Sequence, residues 1–276
     1  MTGPVPFKAA CIQLRSSGDV AQNIRDTTEL VREAAGAGAR FIATPENTNI
    51  MADNNRAKLA STFDEANDPS IPAFSGLAKD LKVWLLIGSL HIKVSDDKTA
   101  NRSFLFAPDG TVRARYDKIH LFDSTVAAGE TYRESSQVEG GRDVVLADTE
   151  FGPVGVTVCY DLRFPQLYRR LAHKGAFAFT IPSSFTVPTG EAHWHVLMRA
   201  RAIENGAFVI APAQGGLHTN GRKTYGHSLI VGPWGEVLAE AGTEPCVIVA
   251  EIDPQLSVAA RAKVPSLQHD RDFTGP

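Results

Sequence analysis

The chain has 276 residues, of which 43% are hydrophobic and 21% charged, and its formal net charge is −3. These values are typical of a globular protein with a sizeable core, and the absence of a basic cluster argues against nucleic-acid or anionic-lipid partners. No apolar run approaches the ~18 residues that a membrane span needs. Three cysteines do not suggest a disulfide framework, and residues 1–8 show no charged leader before an apolar stretch, so we expect a cytoplasmic protein.

Strand and helix patterns alternate in the first half of the chain. Runs of apolar and β-branched residues predict strands at 7–14, 41–44, 83–92, 102–107 and 111–116. The last two are joined by Asp109-Gly110, a strong hairpin signal. Helical spacing predicts helices over 20–36 and 70–81, and the polar stretch 47–69 is expected to hold a loop with a short helix. Residues 118–142 have little periodicity and predict a long loop, which is usually functional in a compact domain.

The second half continues the alternation. Strands are predicted at 144–146, 154–159, 176–181, 207–213, 227–231, 236–239 and 247–252. Helices are predicted at 166–174 and 194–205, a loop at 215–222, and a polar C-terminal arm over about the last 20 residues. No linker or repeat divides the chain, so we expect one α/β domain, residues 1–276. The predicted strands outnumber the predicted helices, and two sheets flanked by helices would accommodate them all.

Three reactive side chains follow predicted strands. Glu46 and Lys118 each come directly after a strand, and Cys159 ends one just before a helix begun by Pro165. Each residue alone has a structural explanation. Glu46 could cap a loop, Lys118 could lie on a solvated edge, and Cys159 could be an inert buried thiol. Together they suggest a site, because strand ends can converge at one sheet edge. A carboxylate whose pKa is raised by burial could accept the proton of the thiol. The positive end of a nearby helix would favour the thiolate form of the cysteine, and an ammonium could stabilise an oxyanion.

Three segments around these residues carry a family resemblance. They are Thr-Pro-Glu-Asn at 44–47, Tyr-Asp-Lys-Ile-His-Leu-Phe-Asp at 116–123 and Gly-Val-Thr-Val-Cys-Tyr-Asp-Leu-Arg-Phe-Pro at 155–165. In order and spacing they resemble the nitrilase superfamily of carbon–nitrogen hydrolases, and the likeness extends from residue 7 to about 272. The resemblance implies a four-layer α-β-β-α sandwich, homodimers that pair through helices near the nucleophile, and a reaction without cofactor or metal.

The resemblance also implies catalytic roles. Cys159 corresponds to the nucleophile that forms a thioester, and Glu46 to the general base. Lys118 corresponds to the cation that supports the tetrahedral intermediate, together with the backbone N–H of Tyr160.

A second glutamate of the family, which holds the lysine and positions the substrate, corresponds best to Glu134 in Tyr-Arg-Glu-Ser at 132–135. Glu130 is the alternative. The following segment, 135–141, departs from the family pattern because it lacks a proline before the glycine.

Other segments place the chain within the superfamily. Nitrilases carry Trp directly after the cysteine, whereas this chain has Tyr160, which favours an amide over a nitrile substrate. Segments similar to the Nit-type amidases are found at 181–185, 193–195, 199–205, 225–228 and 232–235. Such enzymes hydrolyse deaminated glutathione or, as ω-amidases, 2-oxoglutaramate and 2-oxosuccinamate. Segments 213–218 and 221–222 favour the first substrate, and we expect ammonia as the second product.

An anionic substrate requires a second cation besides Lys118. Arg163 is our candidate, because a guanidinium binds carboxylate with two parallel hydrogen bonds, although a structural salt bridge would explain it equally well. Tyr160, Phe185 and Thr186 are further candidates for substrate binding, and Phe185 is also a candidate core residue.

Alternatives from other classes have less support. None of the eight histidines lies in a motif that would pair it with the thiol. His193 and His195 are two apart on a predicted helix and face different directions, and no zinc-binding spacing is present. Cys11 and Cys246 lie in apolar runs and are expected in the core. An N-carbamoyl hydrolase and a catalytically silent binding protein are the remaining alternatives.

Overall fold

The computed structural model describes residues 5–127 and 130–275. Within these ranges the helices are Val20–Gly36 (α1), Asn55–Ala60 (α2), Ser70–Leu81 (α3), Pro165–His173 (α4), Val187–Asn205 (α5) and Pro254–Lys263 (α6). The strands are Phe7–Gln13 (β1), Ala39–Ala43 (β2), Trp84–Lys93 (β3), Thr99–Phe106 (β4), Val112–Asp117 (β5), Asp123–Ala127 (β6), Glu130–Arg133 (β7), Val138–Glu139 (β8), Val145–Thr149 (β9), Gly152–Val156 (β10), Ala178–Thr180 (β11), Phe208–Ala211 (β12), Gly215–Leu217 (β13), Lys223–Tyr225 (β14), Leu229–Val231 (β15), Val237–Glu240 (β16) and Cys246–Ile252 (β17).

The first sheet has the strand order β17-β1-β2-β3-β4-β5, with β8 added beside β4. Its central strands β1, β2 and β3 run parallel. Because successive side chains of a strand point to opposite faces, Ala10 and Ile12 pack beneath α1 and α3, whereas Ala9 and Cys11 face the second sheet. The central strands β1, β2 and β3 are largely apolar on both faces, as expected for strands covered on both sides.

The second sheet has the order β16-β15-β12-β11-β10-β9, and β10, β11 and β12 run parallel. One apolar core joins its inner face to the first sheet, and the outer face is covered by α4 and α5. Helix α4 begins with Pro165 at a position where a missing N–H costs nothing, and it buries Leu167 and Leu171. The layers are therefore helices, sheet, sheet and helices, which confirms the predicted four-layer sandwich.

Three expectations from the sequence need correction. Residues 118–142 are not a structureless loop, because β6 and β7 form an antiparallel hairpin within them. Residues 215–222 include β13, which pairs with β14. The predicted C-terminal arm begins as α6, whose Ser257 and Ala260 are buried against the body of the protein. Alternation over segments of three to five residues is a weak signal, which explains the two errors that concern short strands.

The cysteines differ in burial. Cys11 lies in the core as predicted, but Cys246 is only half-buried, because β17 is an edge strand. Among the residues that the structure describes, no helix is both long and apolar enough to cross a membrane.

Candidate active site

Glu46, Lys118 and Cys159 meet between the two sheets. Glu46 lies three residues beyond the end of β2, Lys118 directly follows β5, and Cys159 lies three residues beyond β10. Their exposures are 4%, 2% and 8%, so all three polar groups are removed from bulk water. Charged residues are rarely buried this completely unless they are paired or functional.

Cys159 occupies a tight turn between β10 and α4. Its φ is +50°, in the left-handed region that non-glycine residues seldom adopt, and its N–H donates to the Pro182 carbonyl at 2.8 Å. The sheets come close here. A Cβ on Gly88 in β3 would lie 1.9 Å from the Thr44 carbonyl oxygen and 2.4 Å from Pro182 Cβ. Glycine at position 88 therefore permits the close approach that brings the carboxylate of one sheet to the thiol of the other.

Asp161 fixes this turn to the first sheet. Its carboxylate is fully buried and accepts hydrogen bonds from the Tyr116 hydroxyl at 2.6 Å and from the Val158 N–H at 2.8 Å. Its other oxygen accepts from the His120 N–H at 3.1 Å and lies 2.7 Å from His120 Nδ1. Because both Tyr116 and His120 flank Lys118 in sequence, Asp161 holds the thiol and the ammonium in a fixed relation.

Lys118 bridges two carboxylates. Its Nζ donates to Glu46 Oε1 at 2.8 Å and to Glu134 Oε2 at 2.8 Å. Asn101 donates to Oε1 of both glutamates, at 2.9 and 3.2 Å, and the Phe122 N–H donates to Glu134 at 2.6 Å. This network orients the Glu46 carboxylate and leaves Lys118 little freedom.

The alternative second glutamate lies elsewhere. Glu130 accepts a hydrogen bond from the Tyr132 hydroxyl at 2.6 Å, so Glu134 is the one in contact with Lys118. Sequence reasoning did not identify Asn101, which lies among other polar residues in the first half of β4 and just before the strand predicted at 102–107.

The network sets the protonation states of the acid and the thiol. Burial opposes ionisation of Glu46, but the Lys118 charge and its hydrogen bond lower the pKa of the carboxyl below its usual range. Burial and the adjacent Glu46 carboxylate raise the pKa of the Cys159 thiol, against the opposing effects of Lys118 and the Ser184 backbone. Burial likewise opposes the charge of Lys118, yet Glu134 and Glu46 raise its pKa well above the usual value.

Two expectations are therefore wrong in sign. The resting site favours a thiol rather than a thiolate, because burial and the neighbouring Glu46 carboxylate raise the pKa of Cys159. The Glu46 pKa is lowered rather than raised, because its ammonium partner outweighs burial. An ionised carboxylate beside a neutral thiol is the combination of protonation states that general-base activation requires.

These groups form the floor of a cavity of about 1080 Å³. The four residues predicted to bind substrate all line it: Tyr160, Arg163, Phe185 and Thr186. The Arg163 guanidinium lies 5.9 Å from the Tyr160 ring centre and 5.7 Å from that of Phe185. Phe185 also packs edge-on against Trp194 in the core, so it belongs both to the cavity wall and to the core.

Further cations of the cavity wall escaped the sequence analysis. Lys58 from α2 donates to Gln137 at 2.9 Å, and burial lowers its pKa to about 8. Arg222 donates to the Ser184 carbonyl at 2.9 Å and lies over the Tyr132 ring. Arg222 lies in segment 221–222, which the sequence analysis linked to the choice of substrate. However, α2 and the β13–β14 ribbon are far from the nucleophile in sequence, so the spacing did not indicate that either side chain lines the cavity.

Comparisons with known proteins agree with this architecture. Residues 8–262 match the family model described as carbon-nitrogen hydrolase. The deaminated glutathione amidase of Synechocystis sp. is 39% identical over 96% of this chain and 98% of its own length. The mouse protein of the same name is 38% identical over 97% of this chain and 84% of its own length.

Solved structures show the same fold. The Caenorhabditis elegans NitFhit protein aligns with a TM-score of 0.90 and 31% identity over 98% of this chain, which spans 66% of that longer protein. Saccharomyces cerevisiae Nit3, of the nitrilase superfamily, aligns with a TM-score of 0.85 and 31% identity over 94% of both chains. With the family model covering nearly its whole length, the chain belongs to the carbon–nitrogen hydrolase family and is an amidase of the nitrilase superfamily.

Proposed function

We propose that the protein hydrolyses the side-chain amide of a small 2-oxo acid through a thioester on Cys159, with deaminated glutathione as the preferred substrate. One observation carries this proposal: a thiol, a carboxylate and an ammonium form one buried cluster at the floor of a cation-lined cavity. A nucleophile, its base and an oxyanion-stabilising cation are the groups that acyl transfer requires.

In the first step, the Cys159 sulfur bonds to the amide carbonyl carbon while the Glu46 carboxylate accepts the thiol proton. The oxyanion that forms faces Lys118 and the backbone N–H of Tyr160. Glu46 then passes the proton to the amide nitrogen as the C–N bond breaks. Because the thiol pKa is raised and the Glu46 pKa lowered, the proton rests on sulfur in the free enzyme and moves as attack develops.

In the second step, water occupies the place of the departed amine. Glu46, again a carboxylate, accepts a proton from that water as its oxygen bonds to the thioester carbon. The C–S bond breaks, and the proton returns from Glu46 to sulfur. Glu134 contacts no reacting atom in this scheme; it holds Lys118 in place from the opposite side.

The cavity wall supports an anionic substrate. Lys58, Arg163 and Arg222 all line it, and each can bind a carboxylate. Deaminated glutathione carries two carboxylates, one at each end, whereas 2-oxoglutaramate carries one. The curated relatives named deaminated glutathione amidase favour the larger substrate. The amide nitrogen of deaminated glutathione belongs to a cysteine residue, so the leaving group would be an amine. Ammonia, the product expected from the sequence, would be released only from primary amides.

The test is kcat/KM for deaminated glutathione and for 2-oxoglutaramate, measured on one enzyme preparation. Both release 2-oxoglutarate, so a single coupled readout serves for both. We expect deaminated glutathione to be preferred by at least roughly tenfold, the value of one additional charge-assisted hydrogen bond. The reverse ranking would indicate an ω-amidase, and no turnover of any amide would indicate a binding protein.

We also propose a homodimer that pairs through the α4–α5 layer. Val196 and Ile203 lie seven residues apart on α5, so they share one face, and they are 69% and 53% exposed. Light scattering tests this: Val196→Glu should give a monomer, whereas Val258→Glu on α6, at a residue of 61% exposure, should not. A monomeric parent protein would contradict the proposal.

A further inference from the structure

A second cluster of ligand-type side chains lies outside the cavity. His195 is on α5, His227 precedes β15, and Glu240 ends β16. His195 Nε2 and His227 Nδ1 both lie 2.9 Å from the same oxygen, Oε1 of Glu240. All three ligand atoms lie within 4.8 Å of one another. We propose that this cluster binds a divalent transition-metal ion of the zinc type.

The donor set fits such an ion. Two imidazole nitrogens and one carboxylate oxygen bind Zn²⁺ at about 2.0–2.2 Å, which in a tetrahedron places neighbouring ligand atoms roughly 3.3 Å apart. The nitrogen–oxygen pairs at 2.9 Å are therefore a few tenths of an ångström from that spacing. The side chains of His195, His227 and Glu240 are 34%, 28% and 37% exposed, so water can reach the fourth position.

His227 is held in place from several directions. Its φ is +54°, a left-handed conformation that non-glycine residues adopt only where the surrounding structure holds them. Its N–H donates to the Gly242 carbonyl at 2.8 Å, and its carbonyl accepts from Trp194 Nε1 at 2.8 Å. Its ring stacks on Tyr225, with centres 4.4 Å apart and planes inclined by 27°. The surroundings thus fix the imidazole so that Nδ1 faces Glu240, which lowers the ordering cost of binding an ion.

The cluster is separate from the candidate active site but connected to its wall. None of the three ligands is among the described residues that line the cavity, whereas residues 187–189 at the start of α5 do line it. Tyr225 packs so closely on Gly190 that a Cβ there would lie 2.0 Å from the tyrosine ring. A bound ion would therefore fasten α5 to β15 and β16, as a structural ion that takes no part in the hydrolysis.

Binding is best measured by titration calorimetry with Zn²⁺ on untagged protein carrying Cys159→Ala, which removes the reactive thiol as a competing ligand. Three variants in that background delete single ligands: His195→Gln, His227→Gln and Glu240→Gln. His193→Gln is the matched control, because His193 is an exposed histidine on the same helix outside the cluster. His195→Gln and Glu240→Gln keep the test valid if the strained position 227 does not tolerate substitution.

We expect one Zn²⁺ per chain, bound at least roughly tenfold more weakly in each ligand variant and unchanged in His193→Gln. Co²⁺ should give a spectrum of nitrogen and oxygen ligation without a thiolate charge-transfer band. The proposal is overturned if binding is not saturable, if the ligand variants bind as tightly as the parent, if His193→Gln weakens binding equally, or if Co²⁺ shows thiolate ligation.

Discussion

The Lys118 ammonium lies 2.8 Å from the Glu46 carboxylate, with both groups buried. This contact keeps Glu46 ionised although burial disfavours a charge, and so it maintains the base in its working form. Without it, the carboxyl group would stand beside a neutral thiol with no cation to stabilise its negative charge.

The first prediction concerns the acidic limb of kcat/KM, which reports the base of the free enzyme. Since the Glu46 pKa is lowered, activity should persist as pH falls through the usual glutamate value of about 4.3 and be lost only below it. Asn101→Ala removes a hydrogen bond to the ionised form and should move the limb to higher pH. Circular dichroism at each pH separates this effect from unfolding, and an unmoved limb in a folded variant would count against Glu46 as the titrating group.

The second prediction concerns stability. Lys118→Met leaves the buried Glu46 carboxylate beside the partly buried Glu134 carboxylate with no cation between them, and breaking a buried pair in this way costs about 3–5 kcal/mol. Urea unfolding at pH 7 measures the loss. Cys159→Ala is the control, because it should abolish turnover equally while leaving every charge paired. Equal stability of the two variants would mean that the ion pair is not structurally important.

The third prediction concerns the close approach of the two sheets. Gly88→Ala places a methyl group against Thr44 and Pro182. The two sheets must then move apart, which takes the Glu46 carboxylate away from the Cys159 thiol. A displacement of about 1 Å can cost 10²-fold in rate, so kcat should fall by about that factor. Gly36→Ala, where the new methyl group meets no neighbour within 4 Å, is the control. Wild-type kcat in Gly88→Ala would refute this account of the geometry.

The fourth prediction concerns Lys58. It binds anions only while protonated, and because burial lowers its pKa to about 8, kcat/KM for an anionic amide should fall as pH rises through about 8. A neutral amide should show no such limb. Lys58→Arg keeps its charge throughout this range and should shift the decline to higher pH. An identical alkaline limb for both classes of amide would exclude Lys58 from substrate recognition.

Local patterns in the sequence predicted most of the strands and the three reactive residues, whereas the four-layer arrangement was implied by the family resemblance. Apolar runs predict strands, and a charged residue directly after one is visible without a structure, as with Glu46 and Lys118. The partners of these residues were not visible. Asn101, Lys58 and Arg222 reach the cluster or its cavity only after chain segments far apart in sequence come together.

The same limit applies to electrostatics. The sequence indicates that Glu46 and Cys159 are ionisable, but the direction of each pKa shift is a balance between burial and neighbours. Burial prevails at Cys159, whereas Lys118 prevails at Glu46. That balance depends on the distances between these groups, which only the folded chain provides.

The central claim is that Cys159 carries the acyl group. Intact-protein and peptide mass spectrometry of enzyme quenched in acid during turnover tests it most directly. We predict a 4-carboxy-4-oxobutanoyl adduct on the peptide that contains Cys159, and neither adduct nor turnover in Cys159→Ala. Turnover that persists in Cys159→Ala, with no adduct on the parent enzyme, would contradict the account.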